Sequence, residues 1–448
     1  MTNLIPKIYQ ESFSQFDKPA GGNGVLATEW LRALRRAAFS RFSELGFPTT
    51  RDEDWRFTNL APIAQTSFKL AQEDRVEVSP RDLEPYRFSG PACSLLVFVN
   101  GKYAPKLSAS PSLPKGLKVG SLAEAMKRDM SFVEQHLAKY ADYHQDAFSA
   151  LNTAFMNDGA FVSIPRGTIL DEPIYLLYVS TASSAPTISH PRNLIIAGED
   201  CQAAIVEDYV SLSDDVQFSN VVTELVVGDN SVVSHHLIER ENDQSFNVST
   251  LRIQQGRSSN VSSHSLLVGG AIVRNNIHPV LAGEGGDCLI NGLFMANGRQ
   301  HMDNYMKVEH ASPHCGSRQF YNGILDGKSH GVFHGRIIVH KDAQKTDAKQ
   351  TNRNLLLSDS AQIDTKPQLE IYADDVKCTH GATIGQIDDE AIFYLRSRGI
   401  AVDSARALLL SAFAGESLQR IKVDSIRKHA EALVAQWLPQ INILEKLT

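Results

Sequence analysis

The sequence predicts a mainly β protein, with a β-helix core flanked by N-terminal and C-terminal helical domains. From about residue 162 the chain becomes a succession of short β-rich runs that end in Gly, Asn or Asp. Between Leu194 and Ile384 no window has the 3.6-residue spacing of a helix. Turn signals recur at loose steps of 30, 28 and 27 residues, at Gly198, Gly228, Gly256 and Gly283. Such a run is typical of a solenoid, in which each coil pairs with its neighbours, and a β-sandwich is the alternative.

Helical signals dominate the N-terminal part of the chain. Leu26 to Leu45 has apolar residues at helical spacing, with Thr28 as the cap and Gly46 as the stop. Val97 to Tyr103 is predicted to be a hairpin with Asn-Gly at its turn, and Leu122 to Met156 returns to helical spacing.

The C-terminal helical region begins at an acidic triplet. Asp388, Asp389 and Glu390 place negative charge where a helix N-terminus favours it. These signals divide the 448 residues into an N-terminal domain at 1–165, the β-helix at 166–387 and a C-terminal domain at 388–448. Three domains fit a chain of this length, at roughly 100–200 residues per domain.

Composition disfavours several classes of protein. The net charge of −7 opposes binding to a phosphate backbone, so we expect no nucleic-acid partner. The longest near-apolar run, Ala407 to Gly415, is far shorter than the ~20 residues that cross a bilayer, and the first residues do not resemble a secretory signal. The five cysteines are widely spaced, which disfavours a disulfide framework or a self-contained zinc site. We therefore expect a cytoplasmic protein without a membrane span.

Motifs for the common catalytic chemistries are missing. Gly323 to Ser329 resembles a phosphate-binding loop, but its glycines are one residue too close together, so we interpret it as a turn. The sequence contains no G-x-G-x-x-G, G-x-S-x-G or H-E-x-x-H motif. This disfavours a nucleotide hydrolase, a dinucleotide-dependent enzyme and a serine esterase.

The best chemical candidates are Cys378 and His380, in the sequence Cys-Thr-His-Gly-Ala. In an extended strand they lie on the same face, about 6.6 Å apart, and a thiolate with an imidazole suits a soft or borderline metal. Two ligands do not complete a tetrahedral site, so a second chain or a sulfide has to contribute. The alternative is a buried cysteine and a capping histidine without chemistry.

The position of this pair adds to the interpretation. Leu369 to His380 is the last β-run before the C-terminal helices, and the final strand of a solenoid exposes unpaired backbone N–H and C=O groups. A second subunit that pairs with this edge would bring Cys378 and His380 to the joint. The same edge permits a homodimer of the isolated chain.

Several long motifs are shared with a known family. They are Trp55-Arg56-Phe57-Thr58, Pro313-His314-Cys315-Gly316-Ser317, Lys345-Thr346-Asp347-Ala348, Asn354-Leu355-Leu356-Leu357-Ser358, Ile363 to Gly385 and Phe393 to Ile400. These motifs closely resemble the SufD family of iron–sulfur cluster assembly proteins. The strongest resemblance covers about Val308 to Ile400.

This resemblance implies a right-handed parallel β-helix between two helical domains. It implies a non-catalytic scaffold subunit that pairs through its β-helix with the sister scaffold SufB and binds the ATPase SufC on its C-terminal helices. De novo cluster formation would take place at the SufB–SufD interface, with a transient cluster or iron shared with SufB and no permanent cofactor. The family's Cys-x-His-Gly-Ala motif falls on Cys378 and His380. The implied SufC-docking region contains Phe393, Tyr394, Arg396, Arg398, Leu408 and Phe413.

The resemblance to SufD rather than SufB depends on two features. SufB-like chains carry Glu at the position of Gly381, and many have an N-terminal cysteine cluster, whereas only Cys93 lies in the first 200 residues here. Two other classes of function stay open: a purely structural adaptor without ligand residues, and a carbohydrate-active β-helix protein. The second would need an aromatic groove, and aromatic residues make up only 8% of the chain.

Overall fold

The computed structural model describes residues 5–18, 28–71, 77–88, 94–110 and 113–438. Its helices are α1 (Lys7–Phe16), α2 (Glu29–Leu45), α3 (Ala61–Gln65), α4 (Leu122–Arg128), α5 (Met130–His136), α6 (Ala147–Phe155), α7 (Asp389–Ser397), α8 (Val402–Leu418) and α9 (Asp424–Trp437), with 3-10 turns at Glu53–Trp55 and Glu84–Tyr86. Its strands are β1 (Lys69–Leu70), β2 (Ser94–Val99), β3 (Lys102–Tyr103), β4 (Lys118–Ser121), β5 (Ala160–Ile164), β6 (Ile174–Ser180), β7 (Thr187–Ser189), β8 (Arg192–Ala197), β9 (Gln202–Ser211), β10 (Gln217–Val227), β11 (Val232–Arg240), β12 (Phe246–Gln255), β13 (Asn260–Leu267), β14 (Ile272–Leu281), β15 (Asp287–Ala296), β16 (His301–His310), β17 (Gly316–Leu325), β18 (His330–Val339), β19 (Asp347–Leu356), β20 (Gln362–Ile371) and β21 (Lys377–Gly385).

A parallel β-helix forms the centre of the molecule. From β5 onward the chain alternates between two sheets, so that each coil contributes one strand to each. The first sheet runs from β5 through β8 and the even-numbered strands to β20, and the second runs from β6 through β9 and the odd-numbered strands to β21. Neighbours within each sheet are parallel and the solenoid has about eight coils. The predicted β-helix between helical regions is therefore confirmed, and the sandwich alternative is wrong.

The core of the β-helix lies between its two sheets. Because the coils are in register, side chains of the same column stack on one another, as Leu225 of β10 does on Ile253 of β12. Ile205 and Ile290 contribute from the second sheet, and all four side chains are almost completely buried. Each such side chain stabilises the fold by roughly 1.5–3 kcal/mol. The short β-branched runs of the sequence are the strands that supply the side chains of these stacked columns.

The N-terminal helical region covers the outer face of the first sheet. Phe148 of the buried helix α6 packs against Trp55 and against Phe218 of β10, with ring centroids 5.2 and 6.1 Å apart. The predicted cap of α2 is confirmed, since Thr28 Oγ1 accepts the N–H of Leu31 at 3.3 Å. Residues 26 and 27 of the predicted helix lie outside the described residues.

The predicted hairpin is also confirmed, but the long helical stretch after it is not continuous. Val99 pairs antiparallel with Lys102 around the Asn-Gly turn. The segment from Leu122 to Met156, which has helical spacing in the sequence, forms the three helices α4, α5 and α6. One reason is that Asp129 starts a new helix by accepting the N–H of Phe132 at 3.3 Å.

The two sheets begin before residue 166. Strands β2, β4 and β5 precede this position and extend one sheet or the other. The division of the chain into residues 1–165, 166–387 and 388–448 stays a prediction.

The C-terminal helices cover the outer face of the second sheet. Helix α7 begins at the acidic triplet as predicted, because the Asp388 side chain accepts the N–H groups of Glu390 and Ala391 at 2.9 and 3.4 Å. Apolar residues of α8 and α9, including Leu410 and Leu433, belong to the apolar cluster that lies on this sheet. Within the described ranges, none of the helices is both long enough and apolar enough to cross a membrane.

Candidate functional site

The β-helix ends in an open rim, which we define as strands β20 and β21. Among the described residues, each is the last strand of its sheet and pairs only with the strand of the coil below, β20 with β18 and β21 with β19. The predicted final β-run, Leu369 to His380, contains the corner between them, so it is two strands rather than one. Along β21 every side chain except that of Cys378 is exposed. The rim therefore presents unpaired backbone groups in both sheets.

Cys378 lies on the inward face of the rim. It is in register with Ala348, which belongs to the core, and its half-buried side chain packs against the same core. Burial raises the pKa of the Cys378 thiol and the charge of Asp347 raises it further, while a backbone hydrogen bond from Ala348 lowers it. The thiol form therefore dominates at neutral pH in the isolated chain.

His380 follows two residues later on the same face of β21, as the sequence predicted. It is in register with Gln350 of β19 and, unlike Cys378, it is exposed. Its neighbour Gly381 is also exposed, and a Cβ added there would meet nothing within 4 Å. The imidazole thus lies at the mouth of the solenoid, where another molecule has room to approach.

Asp375, one of the two acidic residues before Cys378, binds to residues of the coil below. The carboxylate of Asp375 forms an ion pair with Lys345 in the coil below, and its backbone N–H donates to Gln344 Oε1 at 2.9 Å. Lys345 therefore compensates the negative charge that would otherwise oppose a thiolate at Cys378.

The outward side chains of β20 tie the rim to the coil below and to the N-terminal region. Asp364 binds His330 at 2.8 Å, Gln368 binds His334 at 2.7 Å and Glu370 binds Arg336 at 2.6 Å. Lys366 reaches Glu53 at 2.8 Å. His330 and His334 share a face of their strand and serve as hydrogen-bonded structural residues.

No complete metal site is present in the part of the chain that the structure describes. There, no group of three or more His, Cys, Asp or Glu side chains is arranged to hold a metal ion. Cys378 and His380 share a face but lack further ligands of their own chain. Any metal held by this pair needs ligands from a second molecule or from sulfide.

The residues of the implied docking region differ in exposure. On α7, Phe393 and Tyr394 are 74% and 56% exposed. Arg396 and Arg398 are exposed as well, and the Arg398 guanidinium lies 5.1 Å from the Tyr394 ring centroid. On α8, Leu408 is half-buried. Phe413 is buried against the second sheet, and its carbonyl oxygen accepts a hydrogen bond from Asn322 Nδ2 at 2.9 Å.

The structure adds apolar rim residues that sequence reasoning missed. Ile371, Tyr372 and Ile384 are 41%, 63% and 51% exposed, all in or beside the last strands. Their β-rich context made them look like ordinary core positions. The available signal was their place after the last turn of the solenoid, where no further coil covers them.

In the described residues the molecule is a β-solenoid protein with a Cys/His pair on its last strand. Comparison with known families identifies the group of β-solenoid proteins to which it belongs. The model described as "SUF system FeS cluster assembly, SufBD core domain" matches residues 178–413, and "SufBD protein N-terminal region" matches residues 23–176.

Individual relatives give the same answer. An iron–sulfur cluster assembly SufBD family protein of Synechocystis is 34% identical over 401 residues, covering 88% of this chain and 88% of the relative. SufD of Escherichia coli is 32% identical over 396 residues, covering 88% of this chain and 90% of the relative. SufD of Bacillus subtilis is 25% identical and covers 96% of this chain and 97% of the relative. The chain belongs to the SufBD family of iron–sulfur cluster assembly proteins, and the predicted SufD relationship is confirmed.

Proposed function

We propose that this chain is a non-catalytic scaffold subunit of a SUF cluster assembly complex. The observation that supports the proposal is the Cys378–His380 pair on the inward face of the last strand of an open β-helix. Nascent iron–sulfur clusters need thiolate, imidazole or sulfide ligands, and this pair supplies two of them at a place that another subunit can reach. Iron and the cluster are cargo of the site rather than resident cofactors.

The proposed partner at the rim is SufB, joined through the β-helix. Edge strands offer a row of backbone donors and acceptors, and Ile371, Tyr372 and Ile384 add apolar area beside them. When the rim is paired, Cys378 and His380 lie at the joint and SufB completes the ligand set. In the isolated chain, the same edge supports a homodimer.

The two residues have different roles in this proposal. His380 binds iron or steadies the nascent cluster as a neutral imidazole, a form that histidine commonly has at cellular pH. Cys378 is the weaker ligand, because burial raises its pKa and keeps the thiol protonated until a metal or a partner's charge favours the thiolate.

The proposed partner of the C-terminal helices is the ATPase SufC, which would hydrolyse ATP for the complex. Its docking region contains the exposed residues Phe393, Tyr394, Arg396 and Arg398 together with Leu408 and Phe413 of α8, which are less exposed. Helix α8 is tied to the β-helix through Asn322 to the Phe413 carbonyl and through Asn291 to the Ser417 carbonyl at 3.0 Å. Closure of SufC would pull on α8 and so displace the coils below the rim.

The remaining parts of the proposal concern location and other partners. Cys201, Cys288, Cys315 and Cys378 are free thiols, as expected for a reducing compartment, which supports a cytoplasmic location. We propose no nucleic-acid partner, because the net charge is −7, and no membrane partner.

The test is co-expression with SufB and SufC, followed by measurement of iron and acid-labile sulfide on the purified complex. We expect a three-protein complex, and His380→Ala should reduce cluster yield at least tenfold without loss of either partner. His340→Ala is the matched control, since this exposed histidine directly follows β18, one coil below β20, and its Nε2 lies 3.5 Å from Glu309 Oε2. Normal yield in His380→Ala and Cys378→Ser, with the complex intact, would favour the purely structural adaptor instead.

A further inference from the structure

Gln350 is the residue directly below His380. The two are in register on adjacent strands of the second sheet, and Gln350 is only 2% exposed. Adjacent strands are about 4.8 Å apart, and in-register side chains of one column lie on the same face. An imidazole that folds back over the mouth of the solenoid would therefore approach the amide of Gln350.

The nitrogen of the Gln350 amide makes a hydrogen bond, whereas its oxygen makes none to a described residue. Its Nε2 donates to Gln319 Oε1 of the coil below at 2.9 Å. Among the described residues, Oε1 has no hydrogen-bond partner although it is buried. Nε2 is directed to the coil below, and the neighbouring strand on the other side of Gln350 is β21, which carries His380. Buried acceptors are rarely left unpaired, so this oxygen requires a donor.

The opposite wall of the solenoid keeps the amide in place. A Cβ added to Gly335 of β18 would overlap Gln350 Nε2, so the glutamine fills the space that a side chain at Gly335 would need. Gln350 thus spans the interior, and its orientation is fixed by packing as well as by Gln319. The ring of His380 is exposed and makes no hydrogen bond to another residue in the part of the chain that the structure describes.

We propose that Gln350 is a positioning residue for His380. Its Oε1 accepts the N–H of one imidazole nitrogen, which fixes the tautomer and leaves the other nitrogen unprotonated and directed to the rim. Metal-binding histidines commonly have such a partner, and its loss reduces metal affinity by about 10–100-fold. The consequence for iron rests on the proposed function, whereas the hydrogen bond itself does not.

The test for the hydrogen bond uses the metal-free, full-length chain labelled with 15N-histidine. The His380 ring signals are assigned by their loss in His380→Ala. We expect one dominant tautomer in the natural chain and a mixture of tautomers in Gln350→Leu and Gln350→Met, which lack the acceptor. Gln350→Glu keeps an acceptor and should restore the single tautomer. Asn352→Leu is the matched control, because this buried residue lies on the same strand and its side chain bonds to Tyr321 and Asn354 rather than to β21, so it should leave the His380 signals unchanged.

A second measurement addresses iron. Iron(II) titration of the complex with SufB and SufC should show about tenfold weaker binding in Gln350→Met and recovery in Gln350→Glu. An unchanged His380 tautomer in both Gln350→Leu and Gln350→Met would overturn the inference. If instead the tautomer changes while His380→Ala assembles clusters normally, the hydrogen bond stands and the proposed function fails.

Discussion

Arg192 and Glu224 form a completely buried ion pair between β8 and β10, with 2.7 Å between Nη2 and Oε2. The pair is surrounded by donors from the N-terminal region. Glu224 accepts the backbone N–H groups of Ala138, Tyr140 and Ala141 at 2.8, 2.8 and 3.0 Å. One carboxylate of the first sheet therefore holds the loop between α5 and α6, and this loop positions α6 on the sheet.

Removing this charge should destabilise the whole N-terminal region. Glu224→Gln leaves Arg192 buried without its counter-ion, and breaking a buried pair in this way costs about 3–5 kcal/mol. We expect a clearly lower urea midpoint when unfolding is monitored by circular dichroism. We also expect proteolysis within residues 138–146 to be faster than in the natural chain. The control is Glu199→Gln, because Glu199 pairs with Arg166 on the surface, where such a bridge contributes about 0–1 kcal/mol. Equal midpoints for the two variants would contradict the assigned role of Glu224.

The Arg192–Glu224 pair also shows what sequence reasoning could not provide. The periodic turns and the lack of helical spacing after Leu194 were enough for a β-helix, because each coil repeats one pattern of strands and corners. The contacts of Glu224 depend on a loop more than 80 residues earlier, and no local pattern encodes such a partner. The helical spacing from Leu122 to Met156 likewise did not reveal that three helices form there, since part of that segment is shaped by the sheet rather than by its own spacing.

The candidate site was predictable to a similar degree. Cys378 and His380 could be placed on one face of a strand from their spacing, and the position after the last turn predicted an open edge. The sequence could not predict that this face is directed to the interior of the solenoid, because that depends on the register with Ala348 and Gln350. Gln350 itself carries no motif, and only its burial and its free oxygen distinguish it from other polar residues.

Gly335→Ala should destabilise the upper coils of the β-helix. A methyl group at this position overlaps the Gln350 amide, and overpacking of this kind typically costs 1–3 kcal/mol. Thermal unfolding should show the loss, and the double variant Gly335→Ala, Gln350→Ser should recover part of it because the overlapping amide is gone. The control is Gly381→Ala, where an added Cβ meets nothing within 4 Å and stability should change by less than about 0.5 kcal/mol. Equal losses in both glycine variants would show that Gln350 is not the obstacle.

Stability should fall as the pH rises toward neutrality because of two buried acids, Glu239 and Glu241. Burial raises the pKa of Glu241 to about 7, although Asn247 and Ser219 oppose the shift by donating hydrogen bonds. Burial and the charge of Glu241 together raise the pKa of Glu239 well above its usual value. A raised folded-state pKa stabilises the protein below the unfolded value, near pH 4.3, and this contribution is lost as the pH rises through about 7.

Glu241→Gln tests this pH dependence directly. It removes the titrating group while keeping a side chain that can bond to Asn247 and Ser219. We expect a higher urea midpoint than that of the natural chain at pH 8, and a smaller difference at pH 5.5. Glu77→Gln, on an exposed segment, serves as the control and should change neither midpoint. If the urea midpoint of Glu241→Gln differs from that of the natural chain by the same amount at both pH values, titration of Glu241 is not the cause.

Tyr394→Ser should weaken the binding of SufC without affecting SufB. This tyrosine is 56% exposed beside Phe393 on α7, and aromatic anchors of this kind contribute about 2 kcal/mol or more to an interface, which is about 30-fold in affinity. The measurement is the dissociation constant for SufC by titration calorimetry on the otherwise intact chain. Ile169→Ser, at a 63% exposed position of an early coil, is the control and should bind SufC normally. Normal SufC affinity in the doubly substituted Phe393→Ser, Tyr394→Ser chain would place the docking surface elsewhere.

Ile384→Asp should prevent assembly at the rim. Ile384 is 51% exposed on β21, four residues after His380, so the proposed pairing of the rim with SufB or with a second copy would bury it. Burying an unpaired carboxylate there is strongly unfavourable, and we expect affinity for SufB to fall by at least about 100-fold while SufC binding is retained. Val232→Asp is matched in exposure at 48% but lies at the start of β11, in the third coil, away from the rim. Both variants are compared by co-purification with SufB and by sedimentation of the isolated chain. If Ile384→Asp leaves the SufB complex and the self-association unchanged, partners join the chain somewhere other than its open end.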